Sequence, residues 1–208
     1  MRKSSVVLAG MLLLATGLSL AQVDFPKVET SPAFMYVRTP LNHESLNCAG
    51  AGGTLAYNVT DALGIAFDGG GCKYFSNAYP LGSKVDGNLF TFLFGPRITY
   101  RSHSPLTPFF DVNLGGARIS LTCHSGALEC LNHTRGDTVS KTAFALTAGG
   151  GIDLKLNKKF ALRLVQAEYL YTRFGNDCSL AVCNNNNSQN SFRLKSGIVI
   201  GWGGSASQ

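Results

Sequence analysis

Six cysteines, four histidines and a scatter of charges within apolar segments are the chemically capable parts of this 208-residue chain. Cys123-His124, Cys130 and His133 offer four ligand types of the kind that hold zinc, but a directly adjacent Cys-His pair serves one tetrahedral site poorly. His103-Ser104 and His124-Ser125 are adjacent His–Ser pairs, the side chains a lipid-cleaving hydrolase would combine for nucleophilic attack. Neighbours on a strand point to opposite faces, so neither pair is set up to react. With His43 also in a polar stretch, the histidines read as solvated loop and turn residues. The expectation is no catalytic residue, no metal site and no cofactor.

The cysteines have a different use. Arg2 and Lys3 precede an apolar run from Val6 to Leu20, and Ser19-Leu20-Ala21 places small residues where a signal peptidase reads. Residues 1–21 are thus expected to be a secretory signal peptide, leaving 22–208 as one domain. The run is interrupted by Gly10, Thr16, Gly17 and Ser19 and is shorter than the roughly 20 apolar residues of a membrane span. Exported cysteines favour disulfides. Six cysteines allow 15 connectivities, and sequence proximity selects Cys123–Cys130 and Cys178–Cys183. Cys48 and Cys72 stand twelve residues either side of Thr60, the centre of a tight hairpin, and are expected to face each other. Each bridge is expected to pin exposed loop ends.

These residues must be positioned by strands, because the hydrophobic period is two. Phe90, Phe92, Phe94, Ile98 and Tyr100 alternate with Leu89, Thr91, Leu93, Gly95, Arg97, Thr99 and Arg101. Phe110, Val112 and Leu114 oppose Phe109, Asp111 and Asn113; Leu63, Ile65 and Phe67 oppose Gly64, Ala66 and Asp68. Phe144, Leu146, Ile152 and Leu154 oppose Ala145, Thr147, Asp153 and Lys155. The pattern predicts eight strands, at about 27–38, 49–59, 62–75, 86–101, 107–121, 141–155, 160–174 and 189–202. Between Phe160 and Phe174 the phase breaks. A bulge near Val165–Gln166 restores it and turns Gln166 and Glu168 to the side of Arg163. Connections alternate between tight turns and long segments, 39–48, 76–85, 122–140 and 175–188. That rhythm describes an all-β, antiparallel, up-and-down eight-stranded barrel.

The two faces then decide the solvent. Glu29, Arg97, Asp111, Asp153, Arg163, Glu168, Arg193 and Lys195 fall on the small, glycine-rich face, and Phe, Leu, Ile, Val, Tyr and Trp on the other. A soluble barrel of the lipocalin kind has the reverse arrangement. A transmembrane barrel has this one, with ions paired in a narrow lumen. Tyr57, Tyr100, Tyr171 and Trp202 suit interfacial girdles. Loss of Arg2 and Lys3 with the signal lowers the net charge from +6 to +4, which does not argue for nucleic acid.

Asn88-Leu89-Phe90-Thr91-Phe92-Leu93-Phe94-Gly95-Pro96-Arg97, Pro108-Phe109-Phe110, Gly149-Gly150-Gly151-Ile152-Asp153 and Ala161-Leu162-Arg163-Leu164-Val165-Gln166-Ala167-Glu168-Tyr169 resemble the outer-membrane protein A-like β-barrel family. Phe192, Leu194, Ile198, Ile200 and Trp202 resemble its terminal strand, which carries the signal for the outer-membrane insertion machinery. The resemblance implies a cell outer-membrane location, a monomer, and outer-membrane lipid and lipopolysaccharide as surroundings. It covers structural proteins, adhesins, weak pores and resistance factors alike, so it selects no single role. A Gly203–Gln208 tail follows the last strand, so anchoring to the cell wall is not expected. A structural and surface-contact role with a mostly closed lumen is the expected function; a lipid-acting enzyme or a weak solute pore are the alternatives.

Overall fold

The computed structural model describes residues 25–40, 45–74, 85–123, 138–174 and 188–203. They form eight strands: β1 (Val28–Pro40), β2 (Ser45–Asn58), β3 (Leu63–Tyr74), β4 (Val85–Thr99), β5 (Leu106–Cys123), β6 (Thr138–Lys155), β7 (Phe160–Arg173) and β8 (Ser188–Trp202). Each strand pairs antiparallel with its sequence neighbours, and β1 pairs with β8, so the sheet is a closed barrel. Closure leaves none of these strands with an open edge and satisfies the ladder internally.

Turns 59–62, 100–105 and 156–159 lie at one end. Val59 N–H donates to the Leu63 carbonyl at 2.8 Å and Leu156 N–H to that of Phe160 at 3.0 Å. Segments 41–44, 75–84, 124–137 and 175–187 join strands at the other end. Several strands run further toward this loop end than the alternation predicts. Pairing reaches Pro40↔Ser45 and Val85↔Cys123, which shortens the first connection to four residues and puts the backbone of Cys123 at the end of β5.

Parity sorts the side chains. Phe67, Phe92, Phe94, Phe110, Phe144 and Ile198 face outward and are about half exposed, while Arg97, Asp111, Arg163, Glu168 and Arg193 face inward and are buried. In β7 the register shifts between Arg163 and Gln166, and the consecutive residues Leu164 and Val165 both face outward. One extra residue there keeps the Tyr169 face outward and the Gln166–Glu168 face inward. Gly149 has a steric role at this point: a Cβ would stand 2.2 Å from the Ala167 carbonyl oxygen and 2.6 Å from Glu168 Cα. Only glycine lets β6 lie so close to the Glu168 segment.

Pro32 lies within β1 with an exposed side chain. Lys155 lines the turn-end mouth of the lumen, as its inner-face parity predicts, but is exposed there. It is the last residue of β6, still paired with Ala161 of β7, and its long stem reaches solvent at the turn end.

Candidate functional site

The inner face is layered. At the loop end it is apolar: Met35, Val37, Leu46, Leu89, Leu93, Ile119, Leu170 and Phe174 pack together with Cys48 and Cys72. Hydroxyl and amide groups line the same region, with Thr39 and Ser191 hydroxyls 2.7 Å apart. Cys48 and Cys72 form a disulfide with a Cα separation of 5.5 Å. The expected geometry needs correction in two respects. Cys48 pairs with Tyr74 and Cys72 with Gly50, so the hairpin is centred one residue later than Thr60 and the cysteines are diagonal neighbours. Both are also buried, so this bridge ties β2 to β3 within the apolar plug and pins no exposed loop end.

Below the plug lies an ionic centre. Arg193 donates through Nε to Glu168 Oε2 at 2.7 Å and through Nη2 to Oε1 at 3.1 Å, a bidentate pair. Its Nη2 is also 2.8 Å from Asp68 Oδ1, and Nη1 donates to Thr91 Oγ1 at 3.2 Å. Lys195 Nζ donates to Asp68 Oδ2 and lies 3.2 Å from Glu168 Oε2. Thr54 donates to Asp68 at 3.0 Å. Two cations thus meet two carboxylates, each with further hydrogen bonds, which is the condition under which burial of charge is sustained.

The centre continues toward the turn end. Gln166 Nε2 donates to Glu168 at 3.1 Å, and its Oε1 accepts from Arg163 at 2.8 Å. Arg163 makes a second bidentate pair, to Asp153 at 2.9 and 3.0 Å. Arg97 donates to Asp111 at 2.6 Å. The Phe109 ring lies between these pairs, 4.5 Å from the Arg97 guanidinium and 4.3 Å from that of Arg163. The ring faces both cations, a cation–π stack that also fills the axis. At the mouth, Arg101 pairs with Glu29 at 2.7 Å and donates to the Asp61 carbonyl. Asn58 donates to the same Glu29 carboxylate at 3.1 Å.

Glu29, Arg97, Asp111, Asp153, Arg163, Glu168, Arg193 and Lys195 therefore all stand on the inner face, in three connected groups. Sequence reasoning omitted Asp68 and Arg101 from this set, although the parity that assigns Ala66 and Arg97 inward assigns them too. With them, the lumen holds five buried or nearly buried cations and five carboxylates among the described residues. An open-mouthed cavity of about 330 Å³ enters from the turn end between Phe25, Lys155, Lys158 and Lys159, and Arg97, Phe109 and Asp153 form part of its wall.

No group of three or more potential metal ligands occurs among the described residues. His103 is exposed in the 100–105 turn. The serines there cap backbone: Ser104 N–H donates to Ser102 Oγ and Leu106 N–H to Ser104 Oγ, both at 3.2 Å. His43, His124, His133, Cys130, Cys178, Cys183, the 184–187 asparagines and the expected signal peptide at 1–21 lie outside the described residues. In the terminal strand Phe192, Ile198 and Trp202 face outward, and Leu194 and Ile200 are half-buried on that side.

Solved structures share this architecture. Neisserial surface protein A aligns with a TM-score of 0.60 at 14% identity, covering 85% of this chain and 97% of that one. Ail, the attachment invasion locus protein of Yersinia pestis, aligns with a TM-score of 0.50 at 14% identity, covering 83% and 99%. Outer membrane protein OprG of Pseudomonas aeruginosa aligns with 0.51 at 11%, covering 85% and 96%. At these identities the likeness carries the fold alone. No curated protein matches the chain. The family model described as the outer membrane protein beta-barrel domain matches residues 7–197. With the closed eight-stranded topology and the apolar outer face, that match establishes the chain as a member of the outer-membrane β-barrel domain family, a protein of the cell outer membrane.

Proposed function

We propose that this protein is a non-enzymatic, monomeric surface barrel whose lumen is closed and whose loop end meets the outside. The turn end faces the periplasm, as short turns do in such barrels. The supporting observation is double occlusion. The apolar plug around Leu93, Ile119 and Leu170 fills the loop-end half of the axis, and the Glu168–Arg193 centre with the Arg97–Phe109–Arg163 stack occupies the axis between that plug and the open cavity at the turn end. An eight-stranded barrel is only wide enough for its own side chains, and here large ones are buried from the plug down to the floor of that cavity. The outward residues of β8 serve the insertion machinery. The segments that join the strands at the loop end carry the surface contact.

The test is electrical. Purified, refolded barrel in planar bilayers with KCl on both sides is expected to give no stepwise currents above the protein-free baseline. Sustained conductance steps that scale with protein added would overturn the closed-lumen reading and favour a small-solute pore.

A further inference from the structure

The cavity at the turn end is blind. Arg97 and Phe109, in contact with each other, form its floor, and Lys155, Lys158 and Lys159 stand exposed at its lip. Its volume of about 330 Å³ falls in the range of small-molecule sites. On β6, four residues separate Gly151, the partner of Phe109, from Lys155. That is roughly 13 Å along the strand and, at a tilt of about 40°, roughly 10 Å along the barrel axis. The depth suits one aromatic ring extended by a short side chain.

The ionic network leaves polar groups over at the floor. Arg97 directs Nε and Nη2 to Asp111, and among the described residues nothing accepts from its Nη1. Thr107, 5% exposed and opposite Asp153 in the register, has a buried hydroxyl with no protein partner. Unpartnered buried groups of this kind cost free energy that a ligand oxygen would recover. Both carboxylates of the wall are already engaged, Asp153 by Arg163 and Glu29 by Arg101. The three lip lysines form no ion pair with a described residue. Between floor and lip, Phe25, Pro26 and Val199 give the wall an apolar stretch. The Phe25 ring is held there by Lys27 and Arg101, 4.5 and 5.6 Å from its centroid. The pocket therefore runs from hydrogen-bonding groups through hydrocarbon to a cationic lip.

We propose that this cavity binds a small aromatic carboxylic acid carrying a hydroxyl or carbonyl at its far end. The carboxylate meets the lip lysines, the ring packs on Phe109 and Val199, and the far oxygen accepts from Arg97 Nη1 and pairs with the Thr107 hydroxyl. The reverse orientation would bury a carboxylate beside Asp153 and Asp111, whose arginines they already neutralise, at a heavy desolvation cost. A cationic ligand would have to pass three lysines.

The experiment is equilibrium dialysis of para-hydroxyphenylpropionate against the folded full chain in zwitterionic detergent, with protein-free micelles as the blank. Probe and protein meet in solution, so the result does not depend on which compartment the turns face. Saturable one-to-one binding is expected. Phenylpropionate, without the far oxygen, should bind about threefold to tenfold more weakly, the worth of one hydrogen bond. Para-hydroxyphenylpropanol, without the charge, should also bind more weakly, by up to about fivefold for each ion pair lost. Thr107→Val should weaken the hydroxy acid and leave phenylpropionate unchanged; K158Q/K159Q should weaken both acids and leave the alcohol unchanged. Ala161→Phe, which puts a ring into the cavity from β7, should abolish binding of all three. If that variant loses its heat-modifiable gel mobility, the Thr107→Val and lysine comparisons decide alone. No saturable binding, equal binding of acid and alcohol, or unchanged hydroxy-acid binding in both Thr107→Val and K158Q/K159Q overturns the proposal.

Discussion

Glu168→Ala is expected to destabilise the folded barrel by about 3–5 kcal/mol, the cost of removing one partner from a buried charge cluster. Arg193 has no exposed surface and holds Glu168 through two hydrogen bonds, while Lys195 lies 3.2 Å from the same carboxylate. Truncation leaves two cations facing Asp68 alone, and Gln166 loses its acceptor. Urea titration of barrel refolded in vesicles, followed by gel mobility, measures the loss. The neutral replacement D68N/E168Q/R193M/K195M should recover most of it, because a buried cluster exchanged as a unit for neutral groups of similar volume is often stability-neutral. A Glu168→Ala cost under about 1 kcal/mol, the range of exposed ion pairs, would show that water reaches the centre.

Phe94→Arg is expected to cost about 2–4 kcal/mol in a bilayer, the range for a cation on the lipid face near the midplane. Phe94 is 54% exposed and lies between Phe67 and Leu114 in the register, both also outward. The same substitution on a water-facing barrel would be neutral and would raise solubility. The sign of the effect therefore separates the two solvents. Refolding yield into vesicles and the urea midpoint report it; an unchanged midpoint contradicts a lipid contact at Phe94.

The barrel was legible because its alternation is long and strict. Phe90 to Tyr100 alone fixes the period, and the phase break after Leu164 identifies the bulge that keeps Glu168 beside Arg163. Parity likewise assigns each inward charge. Two features were less legible. Charged residues announce a polar lumen, whereas Leu89, Leu93 and Leu170 share the same inner parity without announcing that half of it is an apolar plug. Their role depends on what lies across the axis, and alternation along one strand carries no such information. The diagonal placement of Cys48 and Cys72 follows from a hairpin centred at Asp61 instead of Thr60. A one-residue difference in turn centre shifts the pairing by two positions, and loop residues alone do not fix it. The Phe109 ring between two arginines also needs three strands to be placed before it is visible.

The central claim is the assignment of the two faces, and acyl-chain photolabelling tests it most directly. Barrel reconstituted with a phospholipid bearing a diazirine on its fatty acid is irradiated, digested and mapped by mass spectrometry. Adducts are predicted on Phe67, Phe92, Phe94, Phe110 and Ile198, with none on Arg97, Arg163, Glu168 or Arg193. Adducts on the arginines with the phenylalanines unlabelled would contradict the account.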